Sequence, residues 1–105
     1  MATLYVSEYR QIASVPSATN YAPMAGQAPQ EPPVAEQTIA ITGSSTASAQ
    51  FSGYTAMIRV HCDAICSISI GNSPVATTTN KRLAANQTEY FGVIPGQQIA
   101  VITNV

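Results

Sequence analysis

The residues best suited to chemistry lie in one short run, His61-Cys62-Asp63-Ala64-Ile65-Cys66. Imidazole, thiolate and carboxylate all ligate metals, and a thiol beside an imidazole can act as a nucleophile. Strand geometry argues against both uses. His61 and Cys62 are neighbours in what reads as a β-strand, where successive side chains point to opposite faces. Cys62 and Cys66 fall instead on the apolar faces of their strands, where thiols behave as small hydrophobes. Two buried structural cysteines are the preferred reading, ahead of a cross-strand disulfide and of a metal or catalytic site. Two thiols alone are also a poor zinc set and cannot make a disulfide framework.

The rest of the chain adds little reactive chemistry. One histidine leaves no His pair, and the five acids (Glu8, Glu31, Glu36, Asp63, Glu89) show no paired spacing. Neither G-x-G-x-x-G nor G-x-x-x-x-G-K occurs, so no phosphate loop is indicated. Enzyme is the least supported class, and no catalytic, cofactor-binding or metal residue is expected. Lys81-Arg82 is the sole basic pair. It reads as a solvated turn or, alternatively, as a salt-bridging point for a partner's acidic edge.

The elements that carry these residues are short strands. In Tyr54–Ile70, Ile58, Val60 and Cys62 share one face, with Met57, Arg59 and His61 on the other. Cys66, Ile68 and Ile70 then share a face while Ser67 and Ser69 point away. Alternation with a period of two predicts two strands, read here as a hairpin turning at Asp63-Ala64 and forming the centre of the fold. Arg59 and His61 are expected on its outer face or in a subunit contact.

From residue 37 onward, similar runs recur at 37–42, 47–51, 75–79, 83–85, 88–93 and 98–103, each bounded by Gly, Pro, Asn or Ser. About eight short strands predict an all-β antiparallel sandwich, jelly-roll-like, over residues 37–105. The last run, Q-I-A-V-I-T, is apolar on both faces, which suits a central strand. Residues 1–36 differ in kind. Five of the seven prolines lie there, which excludes a helix or central strand through Ala22–Val34. The segment reads as an extended N-terminal arm whose tip (Leu4, Tyr5, Val6, Tyr9, with Tyr21 further on) grips a neighbouring subunit, ahead of the alternative of a disordered tail.

Composition points the same way. Charged residues make up 9% of the chain, against about 25% in ordinary soluble domains. The net charge of −1 gives no electrostatic reason to expect nucleic acid or an anionic membrane as partner. A polar surface with so little charge is weakly protected against association, which suits a protein that works docked on something large. No apolar run approaches the ~20 residues of a membrane span, and the first residues do not read as a signal peptide. Production in a cytoplasm with reduced thiols is expected.

Four stretches carry a family resemblance: Thr3–Tyr9, Glu31–Ile41, Arg59–Thr78 and Arg82–Gln97. Together they resemble a family of small head proteins of tailed bacteriophages, the capsid cement or decoration proteins usually encoded beside the major capsid protein. The resemblance carries no catalytic residues. It implies a β-sandwich on the outside of the phage head, bound to the major capsid protein as a homo-oligomer (dimer or trimer) that clamps neighbouring capsomers. Made in the host bacterial cytoplasm, such a protein would end in the virion. A receptor- or carbohydrate-binding module of a phage tail or fibre is the alternative, although no Trp is present to serve as a sugar platform.

Overall fold

A computed structural model describes residues 2–16 and 23–104. Among these residues there are ten strands and no helix. Eight of them form two four-stranded antiparallel sheets packed face to face. In the first sheet the order is β4 (Ala35–Ala40), β1 (Thr3–Tyr9), β6 (Met57–Cys62), β9 (Thr88–Gly92). The second runs β5 (Thr46–Ala47), β10 (Gln98–Thr103), β7 (Cys66–Gly71), β8 (Lys81–Leu83). From β4 onward, every connection but β7–β8 crosses between the sheets, as in a jelly roll. The remaining two strands, β2 (Ile12–Pro16) and β3 (Pro23–Pro29), pair only with each other.

The core follows from the alternation. Leu4 and Val6 of β1, Ile39 of β4, and Ile58, Val60 and Cys62 of β6 face inward from the first sheet. Cys66, Ile68, Leu83, Ile99 and Val101 meet them from the second, and Phe51 and Ile41 fill the ends. Each buried aliphatic side chain of this kind contributes about 1.5–3 kcal/mol. As expected, β10 lies inside its sheet, between β5 and β7.

Three expectations are corrected. The N-terminal tip is not a free arm: β1 pairs with β4 on one side and with β6 on the other. Leu4 and Val6 are essentially inaccessible, so they hold the protein's own core rather than a neighbour. The boundary at residue 36 therefore falls inside one body. Burying an alternating apolar strand at home removes more surface from water than leaving it exposed for a partner. Second, β6 and β7 do not form a hairpin. They belong to opposite sheets, and Asp63–Ile65 arches over the end of the sandwich. A contact distant in sequence holds the arch: the Thr3 amide donates to the Asp63 carboxylate (2.6 Å), and the Asp63 amide to the Thr3 carbonyl (3.3 Å). Third, the run at 75–79 is loop, while Lys81 and Arg82, read as a turn, lie in edge strand β8.

The loop has a structural task. The amide of Ala76 donates to Ser45 Oγ (2.8 Å), just ahead of β5, and the Thr78 carbonyl accepts from Asn104 Nδ2 (3.1 Å). It thus lies across the outer face of the second sheet, where Ala100 and Ser67 are fully buried. Two tight turns are set by left-handed residues. Asn86 (φ 62°) and Gly96 (φ 86°) each precede a residue whose amide closes the turn, Gln87 to Ala84 and Gln97 to Ile94. Pro95-Gly96 is the type II turn pair.

The proline-rich excursion leaves and returns at one place. The Gln30 amide donates to the Gln11 carbonyl (3.0 Å), their side chains bond at 2.6 Å, and the Val34 amide donates to the Glu8 carbonyl (2.7 Å). The extended backbone of β2 and β3 agrees with the prolines at their ends, and both strands sit outside the two four-stranded sheets.

Candidate interaction surface

Among the described residues no loop lies across the outer face of the first sheet as the 72–80 segment lies across the second, and the first sheet's register sets side chains in two rows. One row runs Thr38, Tyr5, His61, Thr88; the next runs Glu36, Ser7, Arg59, Tyr90. Tyr5 (46% exposed) and Tyr90 (50%) are the large apolar groups on it. The Tyr5 and His61 rings lie 6.4 Å apart at 47°, an edge-tilted contact. His61 Nδ1 is 2.8 Å from Thr88 Oγ1, which fixes the imidazole plane. Ser7 Oγ donates to Glu36 Oε2 (3.0 Å). The half-buried Arg59 stands between Ser7 and Tyr90 in the second row.

At one end of this face the base of the β2–β3 hairpin leans against the sheet. Ile12, Ala28 and Pro29 line with Met57 and Tyr90 an apolar groove of about 230 Å³. Nearby, the Arg10 guanidinium sits 5.4 Å from the centre of the exposed Tyr54 ring, a cation–π contact. Tyr9 closes the same end from beneath, its hydroxyl donating to Glu31 Oε2 (2.7 Å). Burial first, and then the hydrogen bond and charge of Glu31, push the Tyr9 phenol above its usual pKa of 10.0.

The sequence-predicted residues separate into groups. Tyr5, Arg59 and His61 come together on this face. Tyr9 is almost wholly buried at its end, and Leu4 and Val6 are core. Lys81 and Arg82 belong to β8, on the other sheet. Tyr21 lies outside the described residues. Sequence reasoning missed Tyr90, Met57 and Ile12. Tyr90 could have been found, because it alternates with half-buried Phe91 in T-E-Y-F-G.

The cysteines occupy inward positions on opposite sheets and are unbonded, both without accessible surface. The Cys62 thiol donates to the Ala84 carbonyl (3.0 Å). Burial first, then the neighbouring Cys62, pushes the Cys66 thiol from 9.0 up to about 12. A thiol so protonated is a poor nucleophile and a poor ligand. Among the described residues no three His, Cys, Asp or Glu side chains converge on a common point. Glu8 is the buried carboxylate, satisfied by the Ser52 amide (2.9 Å), the Thr55 hydroxyl (2.8 Å) and Gln37 Nε2 (3.2 Å). It pins the Ser52–Thr55 loop to β1, which is a structural use.

Fold and surface together define a small all-β sandwich whose second sheet is covered on its outer side, while among the described residues the first is open over Tyr5, His61 and Tyr90 and covered at its Tyr9 end. Comparison with protein-family models, curated proteins and solved structures finds no match for this chain.

Proposed function

We propose that this protein is a structural virion component, a cement or decoration protein that binds the outside of a phage head and stabilises its lattice of major capsid proteins. Support comes from the resemblance in four stretches, from the sparsely charged chain, and from the bare face of the first sheet. That face is the observation that carries the reading. Tyrosine and arginine are enriched at the energetic centres of protein interfaces, and here Tyr5, Tyr90 and Arg59 share one face of the sheet. The grip is assigned to this face and to the hairpin beside it, not to Leu4 and Val6. Contacts carrying little charge are weakly screened, which suits a particle exposed to changing salt. Many weak contacts on a lattice suffice, especially if copies associate as dimers or trimers.

The test is addition of purified protein to heads built from the neighbouring major capsid protein but lacking this one. Co-sedimentation to saturation, with density on the outer surface by electron cryomicroscopy, is the expected result. Arg59→Glu is expected to abolish saturation. Protein that stays in the supernatant at every concentration overturns the reading.

A second reading has one observation in its favour. Tyr54 (67% exposed), Tyr90 and Tyr5 are open aromatic rings, which a carbohydrate- or receptor-binding module of a tail or fibre would use. A glycan array with a reproducible hit, lost in Tyr54→Ala, would favour it over the capsid role.

A further inference from the structure

The four edges of the two sheets are not alike. In the second sheet, β5 is two residues long and β8 is three, with Lys81 and Arg82 on it. Short, charged edges of this kind discourage further pairing. In the first sheet, β4 is open, but the seam below it is closed. The Gln37 side chain bonds both the carbonyl (3.4 Å) and the amide (3.0 Å) of Ala49 there.

β9 differs on both counts. The Cys62 amide donates to Gln87 and the Val93 amide to Ala56. Residues of an antiparallel ladder alternate between bonded and non-bonded pairs. In that register Glu89 and Phe91 use their backbone groups on β6, while Thr88, Tyr90 and Gly92 turn theirs outward. Below this edge the seam is open as a groove of about 470 Å³, lined by Ile70, Lys81, Phe91, Val93 and Ile94 among others. Ile94 is two-thirds exposed, and the Lys81 ammonium lies 5.8 Å from the centre of the Phe91 ring.

We propose that the β9 edge is a strand-acceptor site for an extended segment of another protein, apolar at every second residue and acidic where it passes Lys81. Outward backbone donors and acceptors two residues apart are matched by an extended chain and by no helix. Alternate side chains of that chain point into the groove, onto Phe91, Val93 and Ile94. The cation at its rim selects a carboxylate. A second copy pairing through its own β9 would offer only Glu89, whose carboxylate is already held by Gln87 Nε2 (2.7 Å). The site adjoins the face assigned to head binding along β9: the Thr88 and Tyr90 side chains lie on that face, while their backbone groups point out from the edge.

The test is a titration of the full-length, isotopically labelled protein, followed by amide shifts and hydrogen exchange. The probes are two blocked heptapeptides with Val at alternate positions and either Asp or Lys at the centre. The Asp peptide is expected to slow exchange at Thr88, Tyr90 and Gly92 and to bind about two- to fivefold more tightly than the Lys peptide. Gly92→Pro removes one outward donor at a position with open space around a new Cβ, and it should abolish protection. Thr38→Pro, the same change on the β4 edge, should leave it intact. Should Gly92→Pro lose its dispersed spectrum, Lys81→Glu replaces it and must reverse the preference between peptides. Shifts confined to Tyr5 and His61, no protection by either peptide, or protection without peptide that grows with protein concentration would each overturn the proposal. No capsid is involved, so the outcome is independent of the head-binding experiment.

Discussion

The two sheets share one core and differ on their outer sides. The second sheet is wrapped by its own chain: the 72–80 loop crosses it, Ala76 is buried, and Asn104 ties the loop to Ser67 beneath. The first sheet turns Tyr5, Arg59, His61 and Tyr90 outward, and among the described residues only the hairpin base at the Tyr9 end lies against it. Antiparallel sheets tolerate water on one face, so neither arrangement is needed for folding. A covered face is committed to the protein's own stability. A bare one bearing half-exposed tyrosines is available to something else. The difference supports the proposed interaction surface better than any single residue does.

The largest effect that separates the two kinds of region comes from deletion. Removing residues 2–9 takes the inner strand β1 out of the first sheet and strands β4 and β6 on either side of the gap. Cooperative thermal unfolding should vanish in calorimetry. Removing residues 12–29 and joining Gln11 to Gln30 by a short glycine linker should instead cost only about 1–2 kcal/mol, since the ends already meet at 3.0 Å. A cooperative melt in the first variant would restore the free-arm view of the N-terminus.

That contrast also marks where the sequence could and could not be read. Strands β6 and β7 were legible because alternation assigns them, and it put Cys62 and Cys66 inward; β9 and β10 were legible as short runs bounded by turn residues, the latter apolar on both faces. The role of β1 was not. Leu4 and Val6 alternate like any strand, but the proline-rich stretch after them reads as a spacer, and only the pairing to β4 and β6 shows that the chain returns. The arch at Asp63 was hidden for a related reason. A hairpin and a crossing between sheets place the same residues in the core, and the deciding hydrogen bond comes from Thr3. The bare face was half legible: Arg59 and His61 follow from alternation, whereas their alignment with Tyr5 and Tyr90 depends on register.

The next effect is read in alkali, where the two sheets meet. An unfolded Cys66 thiol ionises near 9.0, but the folded one keeps its proton to about 12. Stability is therefore intact below pH 9 and falls above it, by about 1.4 kcal/mol per pH unit while only the unfolded state is ionised. Tyr9, also raised, adds to the loss above pH 10. Urea unfolding across this range should show a shallower slope for Cys66→Ala. An unchanged slope would mean that the thiol between the sheets is not shielded as described.

Uncovering the second sheet should cost less. Asn104→Ala removes the bonds to Ser67 Oγ (2.7 Å) and to the Thr78 carbonyl, leaving a buried hydroxyl short of a donor. A loss of about 1–3 kcal/mol is expected, with faster amide exchange through residues 72–80. Slow exchange in the variant would mean that the loop is held by packing alone, and the covered face would owe less to Asn104.

The smallest effect on stability belongs to the bare face, and its smallness is the point. Tyr5→Ser with Tyr90→Ser removes two rings that are each about half exposed, 46% and 50%. Neither hydroxyl supports the core, and surface changes of this sort stay within about 0.5 kcal/mol each. Binding to heads should fall far more, because truncating a central interface tyrosine costs about 2 kcal/mol or more. Measured together, urea stability and co-sedimentation separate the two roles. A double variant that unfolds early would show that the tyrosines serve the sheet itself. A stable variant that still saturates heads would move the interface elsewhere, and the contrast between covered and bare faces would lose its functional meaning.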